Sequence, residues 1–214
     1  MEFSQALPIQ ISVQPTFGSS NIVLTDSSFQ FEGGHLQIDE LRFYLSHFRF
    51  YKKGKWVLTE PNSYHLVDAR IVKSREIRIE NEKNLDFDEM KFNLGIDSAT
   101  NVSGAMGGDL DPTKGMYWTW QSGYINLKLQ GKSDLCKTRN REFQFHLGGY
   151  LGSDNALQER SFAVNSEKEI KILFDSEIFL GKVDLTHQNH VMSPKKAAVI
   201  LSHDAAQAFF LFEK

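Results

Sequence analysis

Along most of this chain apolar and polar residues alternate with a period of two, the signature of strands with one buried face. Residues 9–13, 41–51 and 124–129 follow this rule, and 64–67 reads as another short strand. In 41–51 the inward set starts with Leu41, Phe43 and Leu45. Lys52-Lys53-Gly54-Lys55 then predicts a hairpin turn, with Trp56-Val57-Leu58 as the return strand. Residues 75–82 alternate but are heavily charged, which suits an exposed edge strand whose charges discourage pairing with another chain. Residues 91–96 predict a strand ending at Gly95. Residues 142–147 are the expected antiparallel neighbour of 124–129, across the polar connection 131–140. Strands follow at 161–164 and 169–174, and helical periodicity appears only late, over 195–203 and 205–212. Many short strands with Gly- and Asn-rich turns predict an all-β fold: an antiparallel β-sandwich with long loops and a few short helices.

Two interruptions stand out. The first is a loop over 97–111, rich in Gly, Ser, Asn and Asp, of a length that commonly carries function. Asp111-Pro112 at its end predicts a short helix, with Asp111 as cap and Pro112 in the first turn. The second is the aromatic block that follows, containing Tyr117, Trp118, Trp120 and Tyr124. On a helix Trp118 and Trp120 would diverge by about 200°; on a strand they would share a face.

Composition narrows the classes. The 214 residues contain no visible repeat or low-complexity linker, so residues 1–214 read as one domain. The chain is 41% hydrophobic with 17 phenylalanines, enough for a core between packed sheets. A net charge of −3 gives no basic footprint, so nucleic acid is not an expected partner. No run approaches the roughly 18–20 apolar residues of a transmembrane segment. Cys136 is the single cysteine and reads as a structural thiol. The opening Met1-Glu2-Phe3-Ser4-Gln5-Ala6-Leu7-Pro8 lacks the charged and apolar regions of a secretory leader. Either the protein is cytoplasmic, or a signal peptide has been removed.

The candidate chemistry lies in histidines and loop acids. None of the seven histidines falls in a His-Glu-x-x-His pattern, and no Cys-x-x-Cys, Gly-x-Ser-x-Gly elbow or phosphate loop is present. A non-catalytic protein is therefore expected. His187 and His190 are spaced to hold one metal if the segment turns, or to stand as two solvated loop histidines. His146 falls on the strand face opposite Phe143 and Phe145, beside Gly148-Gly149. It reads as a metal ligand or as a hydrogen-bonded histidine at a strand end. His203, on the late helical stretch, is a further imidazole. Asp97, Asn101, Asp109 and Asp111 offer oxygens for a hard cation such as calcium, or serve as turn and helix caps.

Several blocks carry a resemblance. Leu41-Arg42-Phe43-Tyr44-Leu45-Ser46, then Tyr64-His65-Leu66-Val67-Asp68, resemble the early part of the MbnP-like, methanobactin-associated copper-binding family. Asn93-Leu94-Gly95-Ile96-Asp97 is similar to that family's approach to its long loop. Leu110-Asp111-Pro112 and Gly115-Met116-Tyr117-Trp118-Thr119-Trp120-Gln121-Ser122-Gly123-Tyr124 resemble its most specific motif, and Phe145-His146-Leu147-Gly148-Gly149 and Met192-Ser193-Pro194 its later positions. The resemblance implies a periplasmic, outer-membrane-associated or secreted β-sandwich that binds copper. It also implies a dihaem partner of the MauG type that oxidises a tryptophan to kynurenine, with Trp118 or Trp120 as the target. His146 is the histidine that fits a family position. One departure concerns the loop: the copper-binding branch carries a histidine there, where this chain has Thr100-Asn101-Val102-Ser103-Gly104.

The expected function is copper handling by an exported protein. His146 serves as ligand with one of His187, His190 or His203, and Trp118 and Trp120 serve as wall or oxidation target. The alternative is a cell-surface binding module, with Tyr117, Trp118, Trp120 and Tyr124 as an aromatic platform and no metal.

Overall fold

The computed structural model describes residues 7–24, 28–120, 123–165 and 169–212. The opening residues 1–6, read above for a leader, and Gln121 and Ser122 of the tryptophan block lie outside them.

The alternating runs fold as strands of two sheets, five-stranded and ten-stranded among the described residues, packed as a sandwich. The smaller sheet is built on Ile9–Phe17, flanked by Glu169–Asp175, with Phe209–Leu211 beyond it and Glu76–Ile79 on the other side. The charged run thus pairs with the start of Ile9–Phe17 and buries Ile77 and Ile79, keeping its charges outward. The larger sheet is organised by one long strand, Gly34–Lys52, which pairs with Gly123–Ser133, Glu89–Leu94, Tyr64–Asp68 and Lys55–Thr59 along its length. Glu142–Gly148 lies antiparallel beside Gly123–Ser133, as the pattern predicts. Phe43 of the larger sheet meets Phe174 and Phe209 of the smaller at ring-centroid distances of 5.1 and 5.4 Å, joining the layers by aromatic contact.

The long strand keeps a buried face only by shifting register twice. One irregularity sits where Glu40 and Ile38 meet Gln130 and Gly131. A Cβ at Gly131 would fall 2.0 Å from the Gln37 carbonyl oxygen, so only glycine fits there. The other irregularity is at His47, whose φ of 54° marks a bulge that returns Phe48 and Phe50 to the core after Leu45.

Three expectations change. The sheets are mixed: Ile9–Phe17 runs parallel to Glu169–Asp175, and His190–Val191 parallel to Glu142–Gly148. Residues 205–212 are not a second helix. One helix, Lys196–Ala206, ends there and the chain continues as the strand Phe209–Leu211. Pairing with Glu169–Asp175 and burial of Phe209 between Phe43 and Phe174 outweigh the helical pattern of the alanines. The long loop is also largely structured, holding the helix Ser98–Val102 and 3-10 turns at Gly108–Leu110 and Pro112–Lys114. No described helix is long and apolar enough to cross a membrane.

Candidate functional site

The structured loop covers a second apolar cluster on the outer face of the larger sheet, built from Tyr44, Leu66, Ile96, Leu110, Met116, Trp118, Tyr124 and Ile125. Two tyrosines of the sheet pin it. The Tyr44 hydroxyl donates to the Asp109 carbonyl at 2.9 Å. The Tyr124 hydroxyl donates to the Leu110 carbonyl at 3.0 Å and accepts from the Met106 N–H at 3.1 Å. Burial first, then a neighbouring phenol and nearby aspartates, pushes both phenols above the usual tyrosine range, at Tyr124 against the opposing Met106 hydrogen bond, so they act as fixed hydrogen-bonding groups.

The loop acids and Asn101 are spent on this architecture. Asp97 caps Ser98–Val102 through the Thr100 N–H at 2.9 Å. Burial opposes its ionisation, but hydrogen bonds from Thr100 and the nearby His47 outweigh it and hold the carboxyl below the usual range. Asp111 caps the turn at Pro112, as its sequence position predicts, and bonds from Thr113 hold it low as well. Asp109 accepts from the Leu66 N–H at 3.0 Å and pairs with Lys114 at 2.6 Å. Asn101 donates to the carbonyls of Ile96 and Asp97, and its oxygen accepts from the Tyr124 N–H at 2.8 Å. Among the described residues no group of three or more His, Cys, Asp or Glu side chains is placed to hold a metal.

The two tryptophans have different fates. Tyr117–Trp118 is a short strand paired to Gly123 and Tyr124, and it turns the Trp118 indole onto Gly148. Trp118 is 6% exposed and Trp120 is 65% exposed, yet their rings remain in contact at 5.9 Å. Tyr117 packs edge-on against Tyr124 at 5.0 Å.

Gly148 lies two residues from His146 on the same strand and therefore on the same face. His146 is 7% exposed, and a ring nitrogen meets the side-chain amide of Gln130. Burial, then the positive charge of Lys128, then His190, pushes its pKa down to about 4. The imidazole is therefore uncharged at neutral pH, with its Nε2 engaged by the Gln130 amide. His190 stands opposite Gln144 on the adjoining strand, and Met192 lies one residue beyond the paired Val191. His187 and His203 are exposed, each beside an aspartate: Asp184 at 2.8 Å and Asp204 at 3.6 Å. The structure thus gathers His146, His190 and Trp118 on one outer face.

Lys128, Gln130 and Gln144 border His146 and were not marked by sequence reasoning. The signal was present: the polar positions of 124–129 and 142–147 must face each other if the strands pair. Lys128 also ends a ladder of alternating charge. It binds Glu40 at 3.2 Å, Glu40 lies 3.3 Å from Arg42, and Arg42 binds Asp68 at 2.8 Å.

The MbnP family profile matches residues 6–193, a stretch that includes the long loop, the tryptophan block and His146. This chain belongs to the MbnP family. Among solved structures, MbnP from Methylosinus trichosporium superposes with a TM-score of 0.68 at 16% sequence identity, covering 92% of this chain and 88% of that one. At this identity the superposition speaks for the fold. No curated protein matches the chain. In this MbnP-family fold two of the blocks that carry the resemblance touch, since Trp118 of one lies on Gly148 of the other.

Proposed function

We propose that this MbnP-family protein is an exported, non-catalytic metal-handling protein that holds copper at His146. The observation that carries this reading is a buried, uncharged imidazole on the same strand face as a buried indole, with His190 on the adjoining strand. The residues fit a borderline or soft ion. Imidazole suits copper, Met192 offers a thioether in the adjoining segment, and the buried Trp118 indole covers Gly148, two residues along the same strand. His146 and His190 would hold the ion, with the Gln130 amide turning aside from the ring nitrogen it now meets. Copper bound there is cargo, so the protein's work is to bind, shield and release it.

The same reading assigns the tryptophans. Trp118 is the wall. Trp120, exposed and in ring contact with it, is the indole that a dihaem MauG-like partner would reach and oxidise. X-ray absorption of the copper-loaded protein tests the ligand set. Imidazole scattering is expected in the wild type and is weakened in His146→Ala; identical spectra would remove His146 from the site.

The exposure of Trp120 favours a second reading, a cell-surface module that packs an aromatic face against a sugar or peptide. With Trp118 and Tyr124 buried and Tyr117 half-buried, that platform reduces to Trp120. Quenching of Trp120 fluorescence by oligosaccharides, absent in Trp120→Ala, would support it.

A further inference from the structure

We infer that Lys128 is a specificity-determining residue of the His146 site: its ammonium, fixed by Glu40, disfavours doubly charged ions and leaves singly charged soft ions as cargo. The inference rests on the reading above that His146 holds a metal.

The geometry is that of a fixed charge beside a neutral donor set. Lys128 and His146 are direct cross-strand partners with side chains on the same outer face. The Lys128 side chain is only 16% exposed, so solvent screens it little. Glu40 holds it at 3.2 Å, and Glu40 is shared with Arg42, which Asp68 holds in turn. The ladder therefore alternates in sign, and Lys128 is its member on the strand paired with His146.

Apart from Glu40, which pairs with Lys128 and is shared with Arg42, the groups bordering the site carry no charge that offsets the ammonium. Gln130, Gln144 and His190 are the neighbours of His146 on the strands either side, and neither histidine is paired with a carboxylate among the described residues. A structural zinc ion is normally met by four ligands, commonly including thiolates that cancel its charge. Here it would meet neutral donors beside an ammonium. Coulomb repulsion scales with the charge of the ion. Whatever factor Lys128 costs the affinity of a singly charged ion, it costs a doubly charged ion about the square of that factor.

The test is competitive titration of the purified protein with Ag(I), as a singly charged soft probe, and with Zn(II). Lys128→Gln removes the charge and nearly keeps the length. Ag(I) affinity is expected to rise modestly and Zn(II) affinity by about the square of that gain, so that the preference for Ag(I) falls by roughly tenfold. Lys128→Arg keeps the charge and should keep the preference. Glu40→Gln strips the ammonium of its counter-charge and should raise the preference, which provides a second arm if Lys128→Gln folds poorly by thermal melting of the metal-free protein. A preference for Ag(I) that is unmoved by the charge-changing variants, while Ag(I) binding still depends on His146, overturns the role of Lys128 and leaves the metal reading standing. Failure of the wild type to bind Ag(I) at all overturns both.

Discussion

The indole of Trp118 lies on the bare backbone of Gly148: a Cβ there would come within 2.9 Å of its Cζ3 atom and 2.6 Å of the Tyr124 carbonyl oxygen. The Tyr124 carbonyl belongs to the paired strand and cannot swing away, so the tryptophan block and the His146 strand are fitted to each other by the absence of one methyl group. Gly148→Ala should therefore destabilise the protein by about 1–3 kcal/mol through overpacking. It should also shift the Trp118 emission as the ring is displaced. Chemical denaturation followed by tryptophan fluorescence reads both, and an unchanged midpoint would show that the ring does not sit as described.

Tyr124 anchors the long loop through its hydroxyl, which bonds both the Leu110 carbonyl and the Met106 N–H. Tyr124→Phe keeps the ring in the outer cluster but removes these bonds and leaves a buried carbonyl short of a donor. A loss of about 1–3 kcal/mol is expected. Amide hydrogen exchange should speed up over residues 104–111 and stay unchanged in the Ile9–Phe17 strand. Uniform acceleration would mean that the loop does not open independently of the sandwich.

His146 makes a pH prediction with a definite sign. Its pKa falls from 6.5 to about 4 on folding. Between those values the unfolded chain takes up a proton that the folded protein refuses, so stability is complete above about pH 6.5 and falls as pH drops toward 4. The loss from this group amounts to about 3 kcal/mol, and below pH 4 it adds no further slope. His146→Gln should flatten the stability profile over that window relative to wild type. Parallel profiles would place the imidazole in water rather than buried beside Lys128.

Much of the fold was legible because alternation reports burial directly. Leu41, Phe43 and Leu45 face the core as their spacing requires, and Lys53 and Gly54 make the hairpin turn that four polar residues announce. The late error, a helix read over 205–212, came from the alanines. Nothing local to the sequence shows that Phe209 has a place waiting between Phe43 and Phe174. The parallel pairing of Ile9–Phe17 with Glu169–Asp175 was equally hidden, since it joins segments more than 150 residues apart.

The strand face of His146 was legible from parity, and the capping role of Asp111 from its place before Pro112. The separation of Trp118 from Trp120 was not, because it depends on where a two-residue strand ends. Lys128 and Gln130 were missed because their place beside His146 emerges only when Gly123–Ser133 is laid beside Glu142–Gly148 in register.

The central claim is that His146 is a metal ligand, and anaerobic titration with Cu(I) tests it most directly, wild type against His146→Ala, with the apo stability of both measured alongside. Wild type should take up a single tightly bound equivalent, and the folded variant should bind at least tenfold more weakly. Equal affinity in the two proteins, or no binding by either, would contradict it.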